Sequence, residues 1–275
     1  MKVTQSTSRG TDHELQRYFG DLAAFESTAA CEQSEIYRRL RPEIDRVLNA
    51  IEDVSGASVP PPEASSPVRA VAWNIERGIE LDGIIPALAT HPELTSADIL
   101  FLTEVDYGMA RAGNRHVARE IGEVLGFNYV FAPCYLALNK GAGVEADADG
   151  ENTMALHGNA LMSRYPLANV HALALPNGKD KMKGREKRLG SQRAIIVDVL
   201  HPSGTFRAAV LHMDAHSSQA FRHQQMSLLL DHIESLEPDK PILIGGDWNT
   251  TTHNASRALY SILGYVLRVV TGVRR

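Results

Sequence analysis

The sequence predicts an α/β sandwich with a helical segment in front of it. Three observations carry that expectation. Short apolar runs recur after residue 67, and stretches of helical periodicity lie between them. A Pro/Ser-rich break, SGASVPPPEASSP (55–67), separates this pattern from a breaker-poor N-terminal part. Of the 275 residues, 44% are hydrophobic and 22% charged, proportions that exclude a disordered chain. The apolar runs fall short of the roughly 18 residues of a membrane span. The start, MKVTQSTSRGTDHE, has no apolar signal-like core, so the cytoplasm is the expected compartment. Two cysteines, Cys31 and Cys134, exclude a disulfide scaffold and a cysteine zinc site. A net charge of −5 excludes an overall basic field for gripping duplex DNA.

In residues 1–54, Ile36, Leu40, Ile44, Val47, Ile51 and Val54 recur at steps of three and four, which places them on one helical face. Leu15, Phe19 and Leu22 form a shorter stripe upstream, so two helices are expected. Such a stripe needs a cover, either the following domain or a second copy of the chain. In residues 68–275 strands are expected at 68–75, 98–105, 127–133, 159–163, 193–200, 206–213 and 241–247. Several are nearly continuous Val, Ile, Leu and Ala, the composition of strands covered on both faces. Helices fit 81–90, 115–125 and 219–236.

These strands finish in chemistry-bearing residues. The first ends in Asn74 and Glu76, the second in Glu104 and Asp106, the sixth in His212 and Asp214, and the last in Asp247 and Asn249. Open α/β sheets bind ligands at such C-terminal edges. Oxygen-rich sets of Asp, Glu and Asn suit hard cations such as Mg2+, Mn2+ or Ca2+. Asp106, beside Gly108, is read as a turn former, and Asp247 also fits a helix N-cap. In HMDAH (212–216), His212, Asp214 and His216 share one face of an extended strand, which would suit a zinc hydrolase.

WNIERG (73–78), LTEVD (102–106), HGNALMSRYP (157–166), VLHMDAH (210–216) and ILIGGDWN (242–249) occur in one order over about residues 68–250. With them the sequence resembles the endonuclease/exonuclease/phosphatase family, the deoxyribonuclease I-like metal-dependent phosphoesterases. The resemblance implies two packed β-sheets flanked by helices, with a divalent ion at one edge. It implies that Glu104 binds the metal, that Asn74 supports it, and that Glu76 is a further metal candidate. Asp247 and Asn249 match the pair that orients nucleophile and phosphate, and His212 the histidine that binds or protonates the ester. His157, Asn159 and Arg193 are the substrate-side candidates, Arg193 pairing with a buried acid or a phosphate. The implied substrate is a phosphate ester: nucleic acid, a phospholipid headgroup or a small phosphorylated metabolite.

The sequence departs from the family after Asn249. TTTHNASRALYSILGYVLRVVTGVRR holds no Asp or Glu, and His253 comes too early to match the family's final histidine of Ser-Asp-His. That departure implies a C-terminally incomplete domain, and it is the feature that favours a catalytically dead binding or regulatory domain as the alternative. GKDKMKGREKRLGSQR (178–193) reads either as a solvated loop or as a flexible basic arm that meets a polyanion.

Overall fold

The computed structural model describes residues 3–5, 10–55, 67–215, 217–236 and 240–250. Residues 56–66 of the Pro/Ser-rich break, His216, His253 and the apolar run of 258–270 lie outside them. Within them the strands are β1 (Val3–Gln5), β2 (Glu52–Val54), β3 (Ala70–Arg77), β4 (Ile99–Tyr107), β5 (Asn128–Ala137), β6 (Leu156–Ser163), β7 (Leu167–Ala174), β8 (Arg188–Gly190), β9 (Arg193–Val199), β10 (Phe206–His212) and β11 (Ile242–Asp247). The helices are α1 (Phe19–Ala23), α2 (Thr28–Gln33), α3 (Glu35–Leu48), α4 (Leu81–Thr90), α5 (Val117–Leu125) and α6 (Gln219–Ser235). No described helix is long and apolar enough to cross a membrane.

Two sheets stack face to face. One has the order β1-β7-β9-β10-β11, the other β2-β5-β6-β4-β3 with β8 added to β5. Alternation of side chains along each strand divides the apolar residues between two cores. Ile99 and Phe101 meet Ile195, Val197 and Val210 between the sheets. Leu100 and Leu102 point the other way, under α3, α4 and α5. On the opposite surface Ile196 and Leu211 pack against Leu229 and Ile233 of α6. This double burial explains why the strands read as nearly unbroken apolar runs.

Each sheet ends in a parallel pair, β3 with β4 and β10 with β11, whereas the remaining pairings are antiparallel. Parallel neighbours finish on the same side. β11 packs on β3 and β10 on β4 across the sandwich, so four strand ends meet at one rim. Gly245 sits where a Cβ would lie 2.2 Å from Phe101 Cδ2, and this lets β11 approach the other sheet.

The N-terminal segment departs from the expected two helices. Ser27 Oγ accepts from Ala30 N and Ser34 Oγ from Tyr37 N, so each serine caps a new helix and breaks the periodic stretch into α1, α2 and α3. The stripe of α3 is covered within the chain: Ile44 and Val47 are fully buried in the core that also holds Leu136 and Leu189. Val54 belongs to a strand and is exposed. The sequence patterns also missed β7, whose alternation is broken by a register shift between Ala168 and His171.

Glu52 fastens this segment. Its carboxylate accepts from Tyr129 Oη, Arg119 Nη2 and Thr11 Oγ1, and it meets His116 Nε2 at 2.9 Å. Burial disfavours its charge, but His116, Tyr129 and Arg119 outweigh that and hold the carboxyl down at about 2. A depressed carboxyl stabilises the fold above its unfolded value, about 4.5, and that contribution is lost as pH falls through about 2. Glu52→Gln is expected to melt below the parent at pH 7. The gap should close between about pH 4.5 and about pH 2 in calorimetric scans; a gap unchanged over that window would show that Glu52 is not the fastening charge.

Candidate active site at the sandwich rim

The site begins with irregularities in β3 and β4. The register shifts between Asn74 and Arg77, and again between Thr103 and Val105. Thr103 pairs with Asn159 and Val105 with Gly158, so Glu104 is an extra residue, turned out of the ladder at φ 54°. Such bulges re-aim side chains. A left-handed glutamate costs about 1–3 kcal/mol and persists only where its surroundings enforce it. Gly158, opposite Val105, lets β6 close on β5, because a Cβ there would lie 2.2 Å from Ala132 O.

Across the rim, Asn74 Nδ2 donates to Glu104 Oε1 at 2.9 Å and to Asp247 Oδ2 at 3.1 Å. Asn74 Oδ1 accepts from Glu76 N, so the turn role and the site role belong to one side chain. His212 Nε2 lies 4.0 Å from Glu104 Oε1 and 3.8 Å from Asp247 Oδ2. Burial lowers the His212 pKa below its ordinary value despite the two carboxylates, which act the other way. Burial also opposes the charge on Glu104, but His157, Asn74, His212 and Arg77 together hold its pKa below the usual range. Asn249 donates from its backbone to Asp247 Oδ1 and from its side chain to Met213 O, which ties the ends of β10 and β11. These residues face a polar cavity of about 270 Å³ that His157, Tyr135 and Gln192 also line.

Asp106 corrects the sequence reading. It is fully buried, not a turn former: Arg111 grips both its oxygens, at 2.7 and 3.2 Å, and His157 Nδ1 meets Oδ1 at 2.7 Å. Asp106 and His157 are register partners on β4 and β6, an antiparallel pairing that a one-strand view cannot supply. Burial disfavours the Asp106 carboxylate, but Arg111 and His157 lower its pKa below the ordinary value. Arg111 continues to Glu145 and Glu186, and Arg77 bridges Glu145 to within 3.7 Å of Glu104. The sequence reading named neither arginine for the site.

Three expected residues are not brought to the cavity. Arg193 meets neither acid nor open pocket: its Nη1 donates to the carbonyls of Leu48, Ala50 and Pro133, and burial lowers its pKa to about 10. It ties α3's end to the sheet. Asn159 donates to Arg193 O and is buried beneath the site. Glu76 is exposed and does not line the cavity. Asp214 does line it, but its Oδ2 accepts from Gly178 N at 2.8 Å and faces Lys181 Nζ at 3.2 Å. Among the described residues, no three His, Cys, Asp or Glu form a metal cage, and His216 lies outside them. Glu104 and Asp247 converge on one amide, and magnesium needs only one or two carboxylates, taking its other ligands from water and substrate phosphate.

The profile of the Endonuclease/Exonuclease/phosphatase family matches residues 71–271. A sequence search among curated proteins finds no match. Similar solved structures include the human Nocturnin catalytic domain with bound sulfate anion, at 22% identity and TM-score 0.47. That match covers 67% of this chain and 64% of the Nocturnin domain. A Bacteroides thetaiotaomicron mannosyl-6-phosphatase is similar at 14% identity and TM-score 0.46, over 72% of this chain and 71% of its own. An endonuclease/exonuclease/phosphatase family protein from Leptotrichia buccalis follows at 12% identity and TM-score 0.45, over 72% and 74%.

Removing one partner of a buried ion pair leaves the other uncompensated. Asp106→Ala is therefore expected to cost about 3–5 kcal/mol in urea unfolding. Asp106→Ala with Arg111→Met should recover part of the loss, since the stranded cation is gone. Equal stability of Asp106→Ala and parent would mean that the pair carries no weight in the folded chain.

Proposed function

Because the chain belongs to the endonuclease/exonuclease/phosphatase family, we propose that it is a divalent-metal-dependent phosphoesterase acting on a phosphodiester or phosphomonoester. The observation that carries the reading is the convergence of Glu104 and Asp247, one from each sheet, on the amide of Asn74, with His212 Nε2 within 4.0 Å of both carboxylates at one solvent-facing cavity. Glu104 would hold magnesium, with manganese or calcium as substitutes, and Asn74 fixes its separation from Asp247. Once bound, the ion would neutralise charge on the phosphate oxygens.

The chain's own residues supply the rest. Asn249 steadies Asp247 through its backbone N–H, so that Asp247 Oδ2 faces the cavity and can orient a water and accept its proton. His212, kept mainly uncharged near neutral pH by burial, presents Nε2 to the same space as a hydrogen-bond partner. On the other wall Asp106 takes Nδ1 of His157, which leaves Nε2 as the ring nitrogen for the substrate side. Tyr135 stacks on that imidazole and keeps its plane.

Hydrolysis of bis-p-nitrophenyl phosphate and p-nitrophenyl phosphate with magnesium is the test. Activity should vanish with EDTA and fall by about 10²–10³-fold in Glu104→Ala and in Asp247→Ala. Calorimetric titration should show magnesium binding lost in Glu104→Ala. Hydrolysis that survives EDTA, or magnesium binding equal in mutant and parent, would remove the metal from this reading.

A further inference from the structure

The basic segment is neither a solvated loop nor a flexible arm. Its Met182 is fully buried in the core. Asp180 accepts from Thr28 N and Oγ1, and Lys187 Nζ donates to the carbonyls of Ala23 and Phe25. Arg188–Gly190 pair with β5. Four anchors therefore fix the segment against the N-terminal helices and a sheet edge, although lysines and arginines lose side-chain entropy when held.

What the anchors hold in place is a second cleft, of about 680 Å³, beside the first. Among the described residues, Arg77, Lys179, Lys181, Lys183, Arg185 and Arg188 line it, against two carboxylates, Asp180 and Glu186. Arg77, Lys181 and Arg188 line the catalytic cavity as well, so the two spaces share a wall. Lys179, Lys183 and Arg185 are exposed and make no ion pair with a described residue. The whole chain carries −5, so this concentration of positive charge runs against its average.

We infer that the cleft is a binding subsite for a second phosphate of the substrate, next to the scissile one; this rests on the phosphoesterase reading of the neighbouring cavity. Arg77, Lys181 and Arg188 between the two spaces, with Lys179, Lys183 and Arg185 beyond them, match anions spaced along one molecule. Among the described residues the lining is cationic and without an aromatic ring, so the chemistry it offers is that of phosphate recognition. A nucleic-acid strand and a small metabolite with two phosphates share that chemistry.

The test is binding by the full chain in EDTA, where hydrolysis is not read. Fluorescein-labelled octathymidylate is followed by anisotropy and inorganic pyrophosphate by thermal shift. Lys179→Ala/Lys183→Ala/Arg185→Ala is compared with the parent and with Arg17→Ala/Arg38→Ala/Arg41→Ala, which removes three exposed cations elsewhere. The cleft variant should bind octathymidylate at least about tenfold more weakly at low salt, with a log–log salt slope smaller by about 2. The control should bind as the parent does. Pyrophosphate binding lost in the cleft variant, without octathymidylate binding in the parent, supports the subsite and selects the small-molecule source. Equal binding of both probes by parent and cleft variant, or equal losses in the control, overturns the subsite. A chain that hydrolyses no ester yet shows the cleft-specific loss would sink the phosphoesterase reading and leave the cleft standing.

Discussion

The amide of Asn74 donates to Glu104 of its own sheet and to Asp247 of the other, and the remaining site residues are arranged about that double hydrogen bond. Two carboxylates this close repel each other, and the repulsion grows as water is excluded. One NH₂ group relieves part of it, because its two hydrogens point toward different acceptors. The geometry exists only because each sheet closes in a parallel pair whose ends reach the same rim. A glutamine here would carry its amide one methylene further, beyond the line between the two acids.

Around that centre the charges form a graded network. Asp106 and Arg111 are buried completely, Glu145 and Glu186 almost so, and Arg77 and Arg188 reach the cavity wall. Buried ion pairs add little net stability, since desolvation offsets attraction. They do fix geometry, because each arginine fork accepts carboxylates in few orientations. In this chain the network sets the plane of His157 and the position of Arg77, both of which act on the charge of Glu104. Its cost falls on the same rim as the strain at Glu104.

The N-terminal segment belongs to this economy of position. Arg193 reaches the carbonyls that end α3, Lys187 those that end α1, and Glu52 joins the segment to α5 and β5. The segment thereby braces the outer face of the sheet that carries Glu104 and Asp106. It also fixes the basic stretch through Thr28 and Asp180.

The sequence by itself determined the layered fold, since apolar runs of strand length alternating with helical stripes admit few other solutions. It also marked Asn74, Glu104, His212, Asp247 and Asn249, because several apolar runs finish in such residues and their motifs follow one family's order. Which of these meet was decided only by tertiary structure. Asp106 looked like a turn residue because its partners, Arg111 and His157, come from a 3-10 turn and a neighbouring strand whose register no local pattern encodes. Arg193 looked like a partner for a buried acid or a phosphate because an arginine's sequence position does not say that three backbone carbonyls will surround it. The basic stretch looked like a loop because the burial of Met182 and the capping by Asp180 exist only once α2 and β5 are in place. Local composition writes the elements; the contacts between distant elements decide which charges face one another.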